Sequence, residues 1–350
     1  MVIAEHTVYI VVSCDTDPDR PGFLNGTPSD GLTWRGMTEG IPALKDLLHG
    51  VTDSRGREPV LTWLLRADDQ VRRVHGEYAW VLHTHEPFLR ALQQSGDELG
   101  WHPHFWRREG ETGRWFQEVE DIDWQVEMLR EAHRQLVSSF SGPPKSVRMG
   151  WAYHNNRTYG ALEELGVTVD CSALPGYRTF RGKPPTRSEN SFDWRPSPRR
   201  PFWPSRTDYR RPASPGESSF RVLEVPGFVS RSIPWALVSS LQLARKKRDP
   251  AQLWDAIRRP TYNINVTARP ALFAPLVSQL RTALRRANGE PLVFSTQCHA
   301  DEFLPNRTTL YSGDSVKANL TALVRACHDA QAPVQFAQLR EIAALWPGPQ

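Results

Sequence analysis

The residues with the clearest chemical potential are His102-Pro-His104. In an extended segment, residues two apart point to the same face, so both imidazoles can reach one ion. They are flanked by Trp101, Phe105 and Trp106, among which an unpartnered histidine pair would be costly to bury. Two histidines and a carboxylate with open positions form a recurrent catalytic metal arrangement; a histidine pair alone is equally compatible with a structural role. Asp15-Thr-Asp17 supplies the carboxylate. Two such groups close together repel unless a cation or proton lies between them, although Asp17 alone could simply cap a turn before Pro18. Asp19 is expected to face solvent. His299, with Asp301 and Glu302 just after it, can be held in one tautomer and act as a general acid, or can be a surface histidine in a loop. Arg148 can hold Asp15 ionised and oriented through its guanidinium, or form a surface salt bridge. His83, His85, His133, His154 and His328 lack matching partners and read as structural.

The elements that must position these groups alternate strand and helix. A β-rich run spans Thr7–Ser13, a helix Ile41–Leu48, a strand Pro59–Leu65, a helix Glu86–Gln94 stopped at Ser95-Gly96, and an extended piece Glu98–His104. A long amphipathic helix covers about Glu118–Phe140, followed by a strand at Ser146–Gly150, a helix at Arg157–Leu165 and a strand at Val167–Asp170. Further strands fall at Arg221–Val225 and Pro291–Ser295, with two or three helices between them up to about Ala287. A helix near Asp314–Ala330, a strand Pro333–Phe336 and a terminal helix complete the pattern. Such alternation implies parallel strands joined by crossovers. Seven or eight units fit a (β/α) barrel, whose chemistry lies at the C-terminal strand ends, and that is where the polar clusters fall.

The chain has 350 residues, 39% of them hydrophobic and 23% charged, which suits an ordinary folded core. At roughly 150 residues per domain the length fits two domains or one large α/β unit; one domain over 1–350 is expected, with an irregular insertion at about 177–216. Between Arg178 and Arg211 that insertion holds ten Lys/Arg, three Asp/Glu, six Pro and six aromatics. Proline at this density excludes a long helix. The segment either packs its aromatics down with its arginines in solvent, forms one wall of a cleft, or grips a polyanion. The formal net charge of +4 gives no reason to expect a nucleic-acid partner. Four dispersed cysteines, without CxxC, exclude a disulfide scaffold and suit a reducing cytoplasm. No apolar run reaches the roughly 18 residues of a membrane span, and the N-terminus has no secretory pattern.

Taken in order, these pieces resemble the polysaccharide deacetylase family (carbohydrate esterase family 4, the NodB homology domain) from about Val8 to Glu302. Cys14-Asp-Thr-Asp17 resembles the first motif, and Gly96-Asp-Glu-Leu-Gly-Trp-His-Pro-His104 the histidine motif. Arg148-Met-Gly150, Asn156 and Leu162–Ser172 resemble the third; Phe294–His299 with Glu302 resembles the last, and Leu223-Glu-Val-Pro226 a strand before it. Two departures stand out. The chain has HxH where HxxxH is common, and the fourth motif's Asp-Trp has no clear counterpart, since Asp193-Trp194 lies in the insertion.

The resemblance implies an α/β fold, a distorted (β/α)7-type barrel with a Pro/Arg-rich insertion. It further implies a divalent ion held by Asp17, His102 and His104, with zinc the first expectation and cobalt, nickel or iron(II) as alternatives. Asp15 would be the base, braced by Arg148, and His299 the general acid. The expected reaction is amide C–N hydrolysis, most simply N-deacetylation of a sugar-containing small molecule or an oligosaccharide. Three alternatives stay open: hydrolysis of a non-sugar amide, iron(II)–oxygen chemistry on the same triad, and an inactive barrel that binds polyanions through its insertion. Trp34, Trp101, Trp106 and Trp151 could line a cleft, and core packing explains each equally well.

Overall fold

The apolar, mostly β-branched run from Val8 to Val12 makes β1 (Val8–Thr16), the strand around which the rest assembles. A computed structural model describes residues 7–19, 31–110, 112–139, 142–178, 192–231, 261–262, 265–287, 290–305 and 313–348, with isolated positions at 234, 237 and 241. After β1 and one turn of π-helix (Gly36–Gly40) come α1 (Ile41–Leu48), β2 (Leu61–Arg66), α2 (Asp69–His75), α3 (Trp80–Thr84) and α4 (Glu86–Gln94). Then follow β3 (Glu98–His102), a hairpin of β4 (Trp106–Arg108) and β5 (Trp115–Gln117), α5 (Ile122–Ser139), β6 (Ser146–Val147), α6 (Asn156–Glu164), β7 (Val169–Asp170) and β8 (Leu223–Glu224). A short pair, β9 (Ser230–Arg231) and β10 (Thr261–Tyr262), precedes α7 (Pro270–Arg286) and β11 (Leu292–His299). The described chain closes with α8 (Ser315–Asp329), β12 (Val334–Phe336) and α9 (Leu339–Leu345).

Parallel strands in the order β11–β1–β2–β3–β6–β7–β8 form one curled sheet, with β12 beside the first residues of β1. A hydrogen bond from Phe228 N to Ser295 O, 2.8 Å, brings the chain after β8 back to β11. This is the expected distorted (β/α) barrel. Strand alternation divides its side chains into two sets. Val8, Ile10, Val12 and Cys14 point outward into the large core beneath the helices. Val11, Leu64, Val169, Cys171, Leu223 and Val225 share a smaller core inside the barrel with Leu339 and Ile342 of α9. Each aliphatic side chain buried there contributes roughly 1.5–3 kcal/mol, and the dry layer raises the cost of any unpaired charge just above it. The next residues of β1 on the same inward face are Ser13 and Asp15, at the C-terminal mouth.

The helix boundaries follow local chemistry. Asp68 caps α2 by accepting from the backbone N–H groups of Gln70 and Val71, and Gly76 ends it in the left-handed region at φ 94°. Asn155 and Thr158 form a capping box on α6. Helices α1 and α4 match the expected ranges. The hairpin β4–β5 and helices α2 and α3 were not expected. Strand β1 runs through Thr16, so Asp15 lies in the strand rather than after it. Asp19, expected to face solvent, instead accepts from the backbone N–H groups of Arg35 and Gly36 at 2.9 and 2.8 Å, pinning the π-turn.

In the described part of the insertion, Trp194 is fully buried and its Nε1 donates to Ala152 O at 2.7 Å. Arg195, Arg200, Arg206, Arg210 and Arg211 each face a carboxylate, from Asp193, Glu290, Glu163, Asp208 and Glu217 respectively. Trp194 and Phe202 therefore pack inward, and these arginines are ion-paired. Residues 179–191, and the expected helices over most of 232–260, lie outside the described residues. The four cysteines are free and buried. Among the described residues no helix is long and apolar enough to cross a membrane.

Candidate metal centre

Strand register brings the distant motifs level. Asp15 is the cross-strand partner of His299 on one side and of Leu64 on the other, and Arg66 is the partner of His102. Above them, Nε2 of His102 and Nε2 of His104 lie 3.1 Å apart. Each faces Oδ1 of Asp17, at 3.6 and 3.5 Å. Among the described residues Asp17, His102 and His104 form a group whose donor atoms all lie within 4.8 Å of one another.

These three fit a divalent ion. His102 Nδ1 is 2.8 Å from Arg148 O, and a carbonyl only accepts, so Nδ1 carries the proton and Nε2 presents its lone pair. Burial, followed by the nearby Arg66 charge, pushes His104 down to about 4, which keeps that imidazole neutral and able to donate its lone pair. The His102 lone pair, a second neutral imidazole and a carboxylate meeting at one largely buried point suit a cation. Nitrogens bound to zinc at about 2.05 Å with tetrahedral angles sit about 3.3 Å apart, close to the 3.1–3.6 Å separations found.

Shape holds His104 in place. Its ring stacks on Trp106, centroids 5.9 Å apart and planes at 14°, and meets His102 edge-on. On another side lies Gly150, where an added Cβ would come within 2.1 Å of the imidazole Cγ. Gly150→Ala is therefore expected to displace the ring and weaken divalent-ion binding by about 10- to 100-fold, measured by titration against a chromophoric chelator. Unchanged affinity would contradict His104 as a ligand. Immediately after Gly150, Trp151 and Ala152 adopt φ of 55° and 53°, a left-handed conformation costly for such residues. The Trp194 hydrogen bond to Ala152 O helps to hold it. Trp151 meets Trp106 edge-on at 6.5 Å. Trp101, by contrast, is fully buried and bonds to Ala67 O, and Trp34 packs in the main core.

Beside the ligands stands Asp15. Arg148 Nη1 donates to its Oδ1 at 2.7 Å, while Nη2 reaches Ser13 Oγ at 2.7 Å and Nε reaches Cys171 O at 3.2 Å. Burial pushes the Asp15 carboxyl up, but Arg148, then His102 and His299, outweigh it and hold the group below the usual carboxylate range. Asp17 is likewise pushed up by burial and brought well below that range by His102 and His104. His102 moves the other way: burial lowers it, and the Asp15 and Asp17 charges more than compensate.

Oδ2 of Asp15 is 3.9 Å from His102 Nε2 and 3.8 Å from His299 Nε2. The other ring nitrogen of His299 lies 3.4 Å from Glu302 Oε1, while Oε2 of Glu302 accepts from Thr267 Oγ1 and from His299 N. The carboxylate that meets the ring is thus Glu302, brought back by the 3-10 turn Ala300–Phe303. All six expected site residues converge on one mouth. His83, His133 and His154 serve elsewhere, on Glu77, against Trp101 and on Asp170 respectively, and Asp193-Trp194 stays with the insertion.

Sequence reasoning missed Arg66 and Asp68. Arg66 is buried directly behind Asp17, its Nη1 2.6 Å from Oδ1. Asp68 accepts from Arg66 Nε and from the backbone N–H of His104, the latter at 2.9 Å.

Two solved structures have this arrangement of strands and helices. A protein from Parabacteroides distasonis assigned as a glycoside hydrolase/deacetylase aligns with a TM-score of 0.59 at 14% identity, covering 99% of this chain and 72% of its own. A probable polysaccharide deacetylase from Pseudomonas aeruginosa PAO1 aligns at 0.51 and 13% identity, covering 97% and 90%. The chain has the polysaccharide deacetylase fold. No protein-family model and no curated protein matches the sequence. Within the deacetylase fold, the mouth where Asp17, His102 and His104 meet is the C-terminal face of the parallel strands, where barrel enzymes place their chemistry.

Proposed function

We propose that this chain is a metal-dependent hydrolase of an amide C–N bond, an N-deacetylase of a sugar or sugar-containing small molecule, with residues 1–350 acting as one catalytic domain. The observation that carries this reading is the convergence of three ligand-type side chains beside an arginine-braced aspartate and a histidine. A divalent ion bound by Asp17, His102 and His104 supplies Lewis-acid polarisation of the amide carbonyl and acidifies water. Imidazole donors favour zinc, cobalt, nickel or iron(II) over magnesium or calcium.

The residues of the chain do the rest. Asp15 offers Oδ2 to the attacking water and takes its proton, because Oδ1 is occupied by Arg148. Arg148 keeps Asp15 ionised and fixes its rotamer. His299 stands across from Asp15, 3.8 Å away, and gives a proton to the departing amine. Iron–oxygen chemistry on the same three ligands would leave Asp15, Arg148 and His299 without a task. Ion pairing of Arg195, Arg200, Arg206, Arg210 and Arg211 likewise speaks against a polyanion grip.

Release of acetate from a panel of N-acetylated sugars and amines tests the proposal. Turnover is expected to fall at least about 100-fold on chelation and to return with zinc or cobalt. Undiminished turnover in the chelated protein, or oxygen uptake dependent on iron, would overturn it.

A further inference from the structure

The two halves of the metal centre arrive on different strands. Asp17 follows β1, whereas His102 and His104 come from the end of β3, and β2 lies between them in the sheet. Arg66 is the last residue of β2. Its guanidinium spreads three ways: Nη1 to Asp17 Oδ1 at 2.6 Å, Nε to Asp68 Oδ2, and Nη2 to Gln70 Oε1 at 2.9 Å. The Asp17 oxygen it grips is the one that faces both imidazoles. Asp68 Oδ2 also accepts the backbone N–H of His104 at 2.9 Å. An unbroken chain, Asp17–Arg66–Asp68–His104, thus ties one ligand to the other. Asp68 is itself fixed through its second oxygen, which caps α2.

From this we infer that Arg66 and Asp68 are positioning residues that register Asp17 against the histidine pair, an inference resting on the metal reading above. Stability alone is a poor explanation for them. Arg66 is 3% exposed and Asp68 fully buried, and a buried ion pair is often replaceable by apolar residues without loss of stability. A guanidinium beside a cation site also repels the cation. What the pair provides is orientation: the planar fork of arginine sets the plane of two carboxylates at once, which a lysine's point charge cannot do. Residues behind metal ligands commonly have this role.

Cobalt(II) titration of the full chain, followed by its visible absorption bands, provides the test. Arg66→Lys keeps the charge and loses the fork; it is expected to stay folded and to bind cobalt about 10- to 100-fold more weakly, with shifted bands. Asp68→Asn breaks the same chain at its next link and is expected to move affinity and bands in the same direction. It decides the matter if Arg66→Lys does not fold. Arg73→Lys, an exposed neighbour on α2 paired with Asp69, is the control and leaves both readouts unchanged. A folded Arg66→Lys or Asp68→Asn protein with wild-type affinity and unaltered bands would overturn the inference while leaving the metal centre standing. Failure of the wild-type chain to take up cobalt would instead remove the metal centre, and this inference with it.

Discussion

Replacing His102 and His104 together by alanine is expected to strip the protein of its divalent ion and to lower amide hydrolysis by about four orders of magnitude or more. The size follows from what is lost. Without these two imidazoles, Asp17 is left paired with Arg66, with His299 3.8 Å from its other oxygen, a neutralised carboxylate with little attraction for a cation. Carbonyl polarisation and water acidification disappear together, each worth several kcal/mol, and every 1.36 kcal/mol is tenfold in rate. Fold stability responds less, because the deleted rings sit at the mouth rather than among the inward aliphatic side chains of β1, β2, β7 and β8. Paired measurements of metal content and acetate release check this. A double variant that retains one ion per chain would show that the ion binds elsewhere.

Asp15→Asn is expected to retain the ion and to lower kcat by about 100- to 10,000-fold, the usual range for a lost general base. The substitution nearly preserves shape. An asparagine oxygen can still accept from Arg148, so the brace through Ser13 and Cys171 O persists. What vanishes is the proton acceptor facing His299 and the ligands. Metal content and KM close to wild type with collapsed kcat would place the effect in the chemical step. Near-full turnover would remove Asp15 as the base and leave Arg148 holding a structural carboxylate.

Much of this centre was legible because its residues sit at the ends of apolar β-runs, where parallel-strand folds gather their chemistry. Asp15 and Asp17 end one such run, and His102-Pro-His104 another. Arg148 and His299 lie where further strands stop. Arg66 escaped notice by one position. The apolar signal of β2 fades at Leu65, and only the ladder with β3 carries the strand on to an arginine whose task depends on both neighbours. The cap at Asp68 was a local signal for α2, but its second partner, the His104 N–H, is a tertiary contact. The choice between Asp301 and Glu302 depended on a 3-10 turn, which folds the third residue after His299 rather than the second back onto its ring. Hairpin β4–β5 was obscured by Arg107 and Arg108 in a strand of three residues, yet it delivers Trp106 to the face of His104. In the described part of the insertion there is no long helix, as its proline density leads one to expect. The carboxylates that pair with its arginines come partly from distant Glu163 and Glu290, and no local pattern announces them.

The most direct test of the central claim is anomalous diffraction from crystals grown with zinc and measured on both sides of its absorption edge. One strong peak is predicted within bonding distance of Asp17, His102 Nε2 and His104 Nε2. Crystals holding zinc elsewhere, or a mouth in which these side chains turn away from one another, would contradict it.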